Sequence, residues 1–129
     1  MLGLGELGLQ ILYVAAILGA GVVGLITVFA PRIAGENIFF GATEVGPFVQ
    51  ILGALWIALG AVAVVGLLEP QRVVAVPLIQ LIYKTVWLAM VGYPALMAGD
   101  RSTGIKFFVG LFSVWVVAII LLMPLNSLV

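Results

Sequence analysis

Four long runs of apolar residues dominate the sequence and restrict what it can fold into. They cover residues 7–30, 45–68, 73–98 and 105–123, and each can cross a bilayer, which takes about 20 helical residues. Only α-helices and closed β-barrels satisfy their backbone hydrogen bonds in lipid, and these runs lack the short alternating pattern of barrel strands. The sequence therefore predicts an all-α fold, a four-helix transmembrane bundle with short loops, in one domain over residues 1–129.

The composition excludes several classes of function. Hydrophobic residues make up 65% of the chain and charged residues 8%, against about 25% charged in an ordinary soluble domain. Five basic and five acidic residues balance, so no field attracts nucleic acid. The chain has no His and no Cys, which excludes haem or chlorophyll ligated by His, thiolate metal sites and His-based triads. We therefore predict no metal site, no cofactor and no catalytic residue.

The connections between the runs differ in length and polarity. Residues 69–72, Glu-Pro-Gln-Arg, form a tight turn, which predicts that the second and third helices are antiparallel neighbours. The first loop is longer and contains the apolar run 38–40, Ile-Phe-Phe. We expect that run to lie in the membrane interface or to fold back onto the bundle.

The basic residues of the loops predict an orientation. The first and third loops carry Arg32 and Arg101, with Lys106 nearby, whereas the opposite side carries Arg72. Because basic residues are enriched on the cytoplasmic side, both termini are predicted on the non-cytoplasmic side.

Small residues recur at helical spacing in the first two helices, where they let backbones approach closely. They are Ala16, Ala20 and Gly24 in the first helix and Gly46, Gly53 and Gly60 in the second. Two interpretations are open: packing inside this bundle, or a face that binds another subunit.

The most informative residue is Lys84, a lone charge near the middle of the third predicted span. It lies eleven residues after Val73, or ~16 Å along a helix and about half-way through a ~30 Å hydrocarbon core. A charge at that depth costs at least ~2.5–3.5 kcal/mol and is by default a functional-site hypothesis. No acid of this chain lies inside a span to neutralise it: Glu69 is fifteen residues away, and the other acids lie at or outside helix ends. Among them Glu44 alone could approach Lys84, if the first loop dips inward.

Several uncharged side chains are predicted to surround Lys84 as ligand- or partner-binding residues. They are Gln80, Tyr83 and Trp87 on the same helix, Gln50 and Trp56 on the second, and Trp115 on the fourth. The three tryptophans fall near the middle of their helices rather than at the headgroup level. They either fill the bundle centre opposite the glycines or wall an aromatic cavity for a hydrophobic ligand.

Three states of Lys84 are open. It is neutral, because burial disfavours its charged form, and bonds Gln80 or a carbonyl freed by Pro77 or Pro94. Alternatively it stays charged in a wet cavity and binds an anion or a carbonyl-bearing ligand such as a quinone or lipid headgroup. In the third state it pairs with a carboxylate of another protein.

The sequence resembles small bacterial four-helix inner-membrane proteins of the DoxX-like type. The resemblance is carried by the run 24–32, Gly-Leu-Ile-Thr-Val-Phe-Ala-Pro-Arg, and the run 52–60, Leu-Gly-Ala-Leu-Trp-Ile-Ala-Leu-Gly. It covers about the first half of the chain and implies the bacterial inner membrane and a link to quinone-coupled redox complexes. It carries no catalytic residue over to this chain.

These features favour a non-enzymatic function. The leading hypothesis is a small accessory or stabilising subunit of a larger membrane complex, with Lys84 as a buried polar anchor. Its partners would be membrane lipid and other membrane subunits or a second copy of itself. The alternatives are a small transporter or channel with Lys84 at a midplane anion or proton site, and a quinone- or lipid-binding membrane protein. A membrane enzyme acting on a quinone or isoprenoid is a further alternative.

Overall fold

The computed structural model describes residues 5–41, 45–100 and 102–123, which form helices and turns and no strand. The helices are α1 (Glu6–Phe29), α2 (Pro31–Asn37), α3 (Pro47–Leu68), α4 (Ala75–Met97) and α5 (Thr103–Leu122). All of them except α2 are long and apolar enough to cross a membrane. The ends of these four helices lie within two residues of the ends of the four apolar runs.

Prolines and one glycine set the ends of the helices. Pro31 and Pro47 stand at the first turn of α2 and α3, where the missing N–H would have no partner in any case. After α4, Gly99 has a positive φ of 95° and donates its N–H to the carbonyl of Leu96. That left-handed conformation is the usual way in which a glycine ends a helix.

The closest helix packing joins α1 to α3 along most of their length. A Cβ added to Gly60 would lie 2.6 Å from the Cα of Gly21. One added to Gly24 would lie 2.6 Å from the carbonyl oxygen of Gly53. Backbones can approach this closely only where side chains are absent. These glycines therefore form a contact between two helices of the same chain.

The other small residues that recur at helical spacing differ in their surroundings. Ala16 and Ala20 are buried in the core of the molecule. Gly46, in contrast, is the N-cap of α3, and an added Cβ there would meet no described atom within 4 Å. Gly46 therefore takes no part in the close contact between α1 and α3, because the heptad spacing continues past the start of the helix.

The second close pair is α4 with α5, while α3 and α4 touch little beyond the turn that joins them. That turn carries an exposed ion pair between Arg72 and Glu69, and the hydroxyl of Tyr13 donates to the Pro70 carbonyl at 2.5 Å. The predicted neighbours are therefore joined but not closely packed. Large aromatic side chains of both helices, Trp56, Tyr83 and Trp87, line the space between them.

The apolar run of the first loop folds back onto the long helices. Phe39 stacks on Trp56 and on Phe108, with ring centroids 6.3 Å and 5.9 Å apart. Phe40 meets Phe107 edge to face at 5.1 Å. The loop thus covers the aromatic space between α3 and α5. Glu44, the one acid of this loop that was considered for Lys84, lies outside the described residues.

Candidate functional site

Lys84 lies deep inside the molecule. It stands nine residues after the start of α4 and thirteen before its end, or ~14 Å and ~20 Å along the helix axis. The side chain is 2% exposed, and its Nζ donates a hydrogen bond to the hydroxyl oxygen of Tyr83 at 2.6 Å. The site therefore supplies one polar partner for the amine from within the chain.

Three aromatic rings surround the same amine. Their centroids lie 4.4 Å (Tyr83), 4.5 Å (Phe112) and 4.4 Å (Trp115) from Nζ. A cation within about 6 Å of a ring face is attracted by the electrons of the ring, and more strongly when water is excluded. The rings come from α4 and α5, the closest pair of helices on this side of the molecule. These three rings are called the aromatic cage below.

The amine borders a cavity of about 260 Å³. Aromatic rings form much of its wall, and Lys84, Tyr83 and Asn37 contribute polar groups. Phe107 and Leu111 also line it, and both are exposed on the outer surface of α5. The cavity therefore extends from the Lys84 amine to the outer surface of α5, below the first loop.

A second cavity of about 260 Å³ lies next to the first. The two share four wall residues, namely Trp56, Tyr83, Phe108 and Phe112. The remaining walls of the second cavity are Phe39, Leu52 and Trp87, so its lining is almost entirely apolar. Together the cavities offer a polar end at Lys84 and an apolar end beneath Phe39.

Departures from regular α-helix flank the site. Residues Ile17–Val22 of α1 and Leu88–Gly92 of α4 are π-helical, a form that occurs in single turns and often at functional sites. Gly19, in the first of these segments, lines the cavity. A Cβ on Gly19 would collide with the ring of Trp115, so the glycine makes room for one wall of the cage.

Two buried polar groups near the site have no hydrogen-bond partner among the described residues. Gln80 is fully buried, and both its amide nitrogen and its amide oxygen are unbonded. The indole N–H of Trp115, a residue that lines the first cavity, is also unbonded. Buried polar groups are nearly always hydrogen-bonded in native proteins, so such exceptions need an explanation.

The proposed bond between Lys84 and Gln80 was therefore wrong. Gln80 lies one turn away on the same helix face, but the lysine side chain extends between the rings of Phe112 and Trp115 on α5. Tyr83, also among the predicted residues, takes the role that was assigned to the glutamine.

Two other predicted residues have different roles from the ones expected. Gln50 donates its side-chain amide to the carbonyl of Val28 at 2.9 Å, near the end of α1, where backbone carbonyls lack helical partners. It joins α3 to α1 and does not reach Lys84. Trp87 packs edge to face on Phe112 at 5.4 Å and lines the second cavity only.

Phe108 and Phe112 are site residues that the sequence reasoning missed. Phe108, Phe112 and Trp115 are spaced by four and three residues on α5, which places them on one face of a helix. That aromatic stripe was the available signal, and only its tryptophan was recognised.

The site contains no acid and no metal-binding cluster among the residues that the structure describes. The described acids Glu6, Glu36, Glu69 and Asp100 lie at the ends of the long helices or in α2. No three His, Cys, Asp or Glu side chains of the described part come together. The site is a cluster of hydrogen-bond donors and aromatic faces.

No protein-family model, no curated protein and no solved structure matches this chain. The DoxX-like resemblance stays a prediction.

Proposed function

We propose that this chain is an integral membrane protein that binds a lipid-soluble small molecule between α3, α4 and α5. Its four long helices would span the membrane as a bundle. The Lys84 amine would donate a hydrogen bond to an acceptor group of the ligand. The observation that carries this proposal is a buried primary amine that opens onto an aromatic-walled cavity. Apolar pockets with a few converging polar groups are the usual form of small-molecule sites.

The donors at the polar end define which chemical group the cavity accepts. A lysine ammonium has three N–H donors and no acceptor, and Tyr83 accepts one of them. The indole N–H of Trp115 is unbonded. A ligand oxygen, from a carbonyl or an anion, is the complement of these donors, while the rings and the second cavity accept the apolar body of the ligand.

This proposal explains more of the molecule than an accessory subunit does. The subunit hypothesis depended on a lysine without an internal partner and on small-residue stripes free to bind a neighbour. Lys84 bonds Tyr83, and Gly24, Gly53 and Gly60 contact residues of this chain. Neither feature requires a second protein, so the subunit and transporter hypotheses remain predictions without a structural feature in their favour.

A binding role is proposed in preference to catalysis. The sequence contains no His or Cys, and the described acids stand away from the cavity. The residues that line the polar end can hold a ligand by hydrogen bonds and ring contacts, and Lys84 is the one nucleophile deep among them.

The test is native mass spectrometry of the protein in nanodiscs cut directly from the host membrane. We expect a bound small molecule, other than the bulk phospholipids, on the wild type and on Lys106→Met, which removes an exposed lysine at the start of α5. Lys84→Met should lose it, because a hydrogen bond to a charged group contributes about 1.5–3 kcal/mol, or roughly 10–150-fold in affinity. Equal occupancy on Lys84→Met, or an empty wild type, contradicts the proposal.

A further inference from the structure

We infer that the ligand is a lipophilic carboxylic acid, held as a carboxylate against the Lys84 ammonium. This inference rests on the proposed function and specifies the chemistry of the ligand's polar end. It follows from the charge balance of the site, the kind of donors that line it and the route by which a ligand reaches it.

The described part of the chain supplies no negative charge that could pair with Lys84 when it is an ammonium. Lys84 is 2% exposed, and its contacts are a neutral hydroxyl and three neutral rings. No described acid lines the cavity: Glu6, Glu69 and Asp100 lie at the ends of the long helices, and Glu36 of α2 is exposed. An intramembrane charge is normally paired. A single carboxylate matches the single ammonium and leaves the filled site neutral.

The donors of the site also fit a carboxylate better than a ketone or an ester carbonyl. An ionised carboxylate accepts only, through two oxygens with about four lone-pair sites. The amine of Lys84, the hydroxyl of Tyr83 and the unbonded indole N–H of Trp115 are donors that border the same cavity. Hydrogen bonds to an ionised acceptor are shorter and roughly twice as strong as bonds to a neutral one.

The route into the site favours a weak acid over a phosphate. A carboxylic acid crosses hydrocarbon in its protonated, uncharged form, whereas a phosphodiester carries its charge at all times. In this scheme the empty site holds the neutral amine, and the O–H proton of the acid passes to Nζ of Lys84. The acid becomes a carboxylate and the amine an ammonium, with no other reactant and no net charge moved into the membrane.

The apolar part of the acid has a place in the same region. Phe107 and Leu111 open the first cavity to the surface of α5, and the second cavity beyond Trp56 is lined by apolar groups. A flexible alkyl chain or a flat aromatic body would fill that space. The carboxyl group is common to both.

The test compares matched acids and esters in nanodiscs of zwitterionic phospholipid at neutral pH. The probes are a brominated hexadecanoic acid with its methyl ester, and a brominated naphthoic acid with its methyl ester. Bromine quenches nearby indoles, and Trp56 and Trp115 line the first cavity. We expect at least one acid to bind about tenfold or more tightly than its ester on the wild type and on Lys106→Met, a preference that Lys84→Met loses.

The outcomes separate the inference from the proposed function. Which acid shows the preference tells whether the occupant is an alkyl or an aryl acid, and either result supports the inference. Saturable quenching that is equal for acid and ester overturns the inference and leaves the binding function in place. A preference that survives in Lys84→Met also overturns it. Absence of saturable quenching by all four probes overturns both. The ratio of the affinities for acid and ester is measured on the wild type alone. A misfolded Lys84→Met therefore does not prevent a decision.

Discussion

The contact between α1 and α3 makes a graded prediction about stability. At Gly60, an added Cβ would lie 2.6 Å from the Cα of Gly21 and 3.0 Å from its nitrogen, and both are backbone atoms that cannot rotate away. At Gly21, the nearest atom, the Cα of Gly60, would lie at 3.4 Å, an ordinary contact. At Gly110 in α5, no described atom would lie within 4 Å. Alanine should therefore be damaging at the first position, tolerated at the second and harmless at the third.

The magnitude follows from two effects that act on the same substitution. Replacing a helical glycine by alanine stabilises a helix by roughly 0.5–1 kcal/mol, and this gain applies to all three positions. Overpacking a close contact typically costs about 1–3 kcal/mol, and this cost applies fully to Gly60→Ala alone. The free energy of unfolding of Gly60→Ala should then fall below that of Gly110→Ala by about 1–3 kcal/mol.

The free energies can be measured by unfolding each variant in mixed micelles with increasing mole fractions of SDS. The emission of the three tryptophans reports the transition. Gly110→Ala is the matched control, since it changes the same atoms away from the contact. Equal midpoints for Gly60→Ala and Gly110→Ala would refute the close approach of α1 to α3.

Three further predictions follow from single contacts and from the loop charges. Tyr13→Phe removes the buried bond to the Pro70 carbonyl and should lower the unfolding free energy by about 0.5–1.5 kcal/mol; an unchanged SDS midpoint would contradict it. Gln50→Leu leaves the Val28 carbonyl unbonded and should cost about 1–3 kcal/mol without changing ligand occupancy, which native mass spectrometry measures. A C-terminal alkaline phosphatase fusion should be active and a C-terminal green fluorescent protein dark, and the reverse pattern places the termini in the cytoplasm.

The fold was largely predictable because the bilayer restricts the possible structures. A run of about 20 apolar residues has few alternatives to a spanning helix, and the prolines at 31 and 47 mark where helices begin. The neighbour relations were less predictable. The short turn at 69–72 joins α3 to α4 but does not make them a closely packed pair. The close pairs depend on where glycines of two helices meet and on where aromatic rings need space.

The site was only partly predictable. Lys84 was identified because a charge deep inside an apolar run is costly. Its partner was misassigned because residues one position apart on a helix do not normally face each other. Tyr83 reaches the amine because both side chains extend toward α5, where the Tyr83 ring meets Phe112 edge to face. The π-helical segments have no local signature in the sequence that would reveal them.

Helices α1 and α3 pack closely, whereas α4 carries buried polar groups and borders the cavities. Helices α1 and α3 bring their backbones together through glycines and have a mean hydropathy of 2.4 and 2.5. Helix α4 has a mean hydropathy of 1.5, since it carries Gln80 and Lys84 on its buried face, and it borders the cavities. A buried polar group without a hydrogen bond and an empty cavity both lower stability. A chain that served only as a packed bundle would be more stable with apolar side chains in their place. The cavities and the unbonded indole N–H of Trp115 lie beside the buried amine of Lys84, and the closely packed α1 and α3 offset their cost, which is the pattern expected of the proposed ligand site.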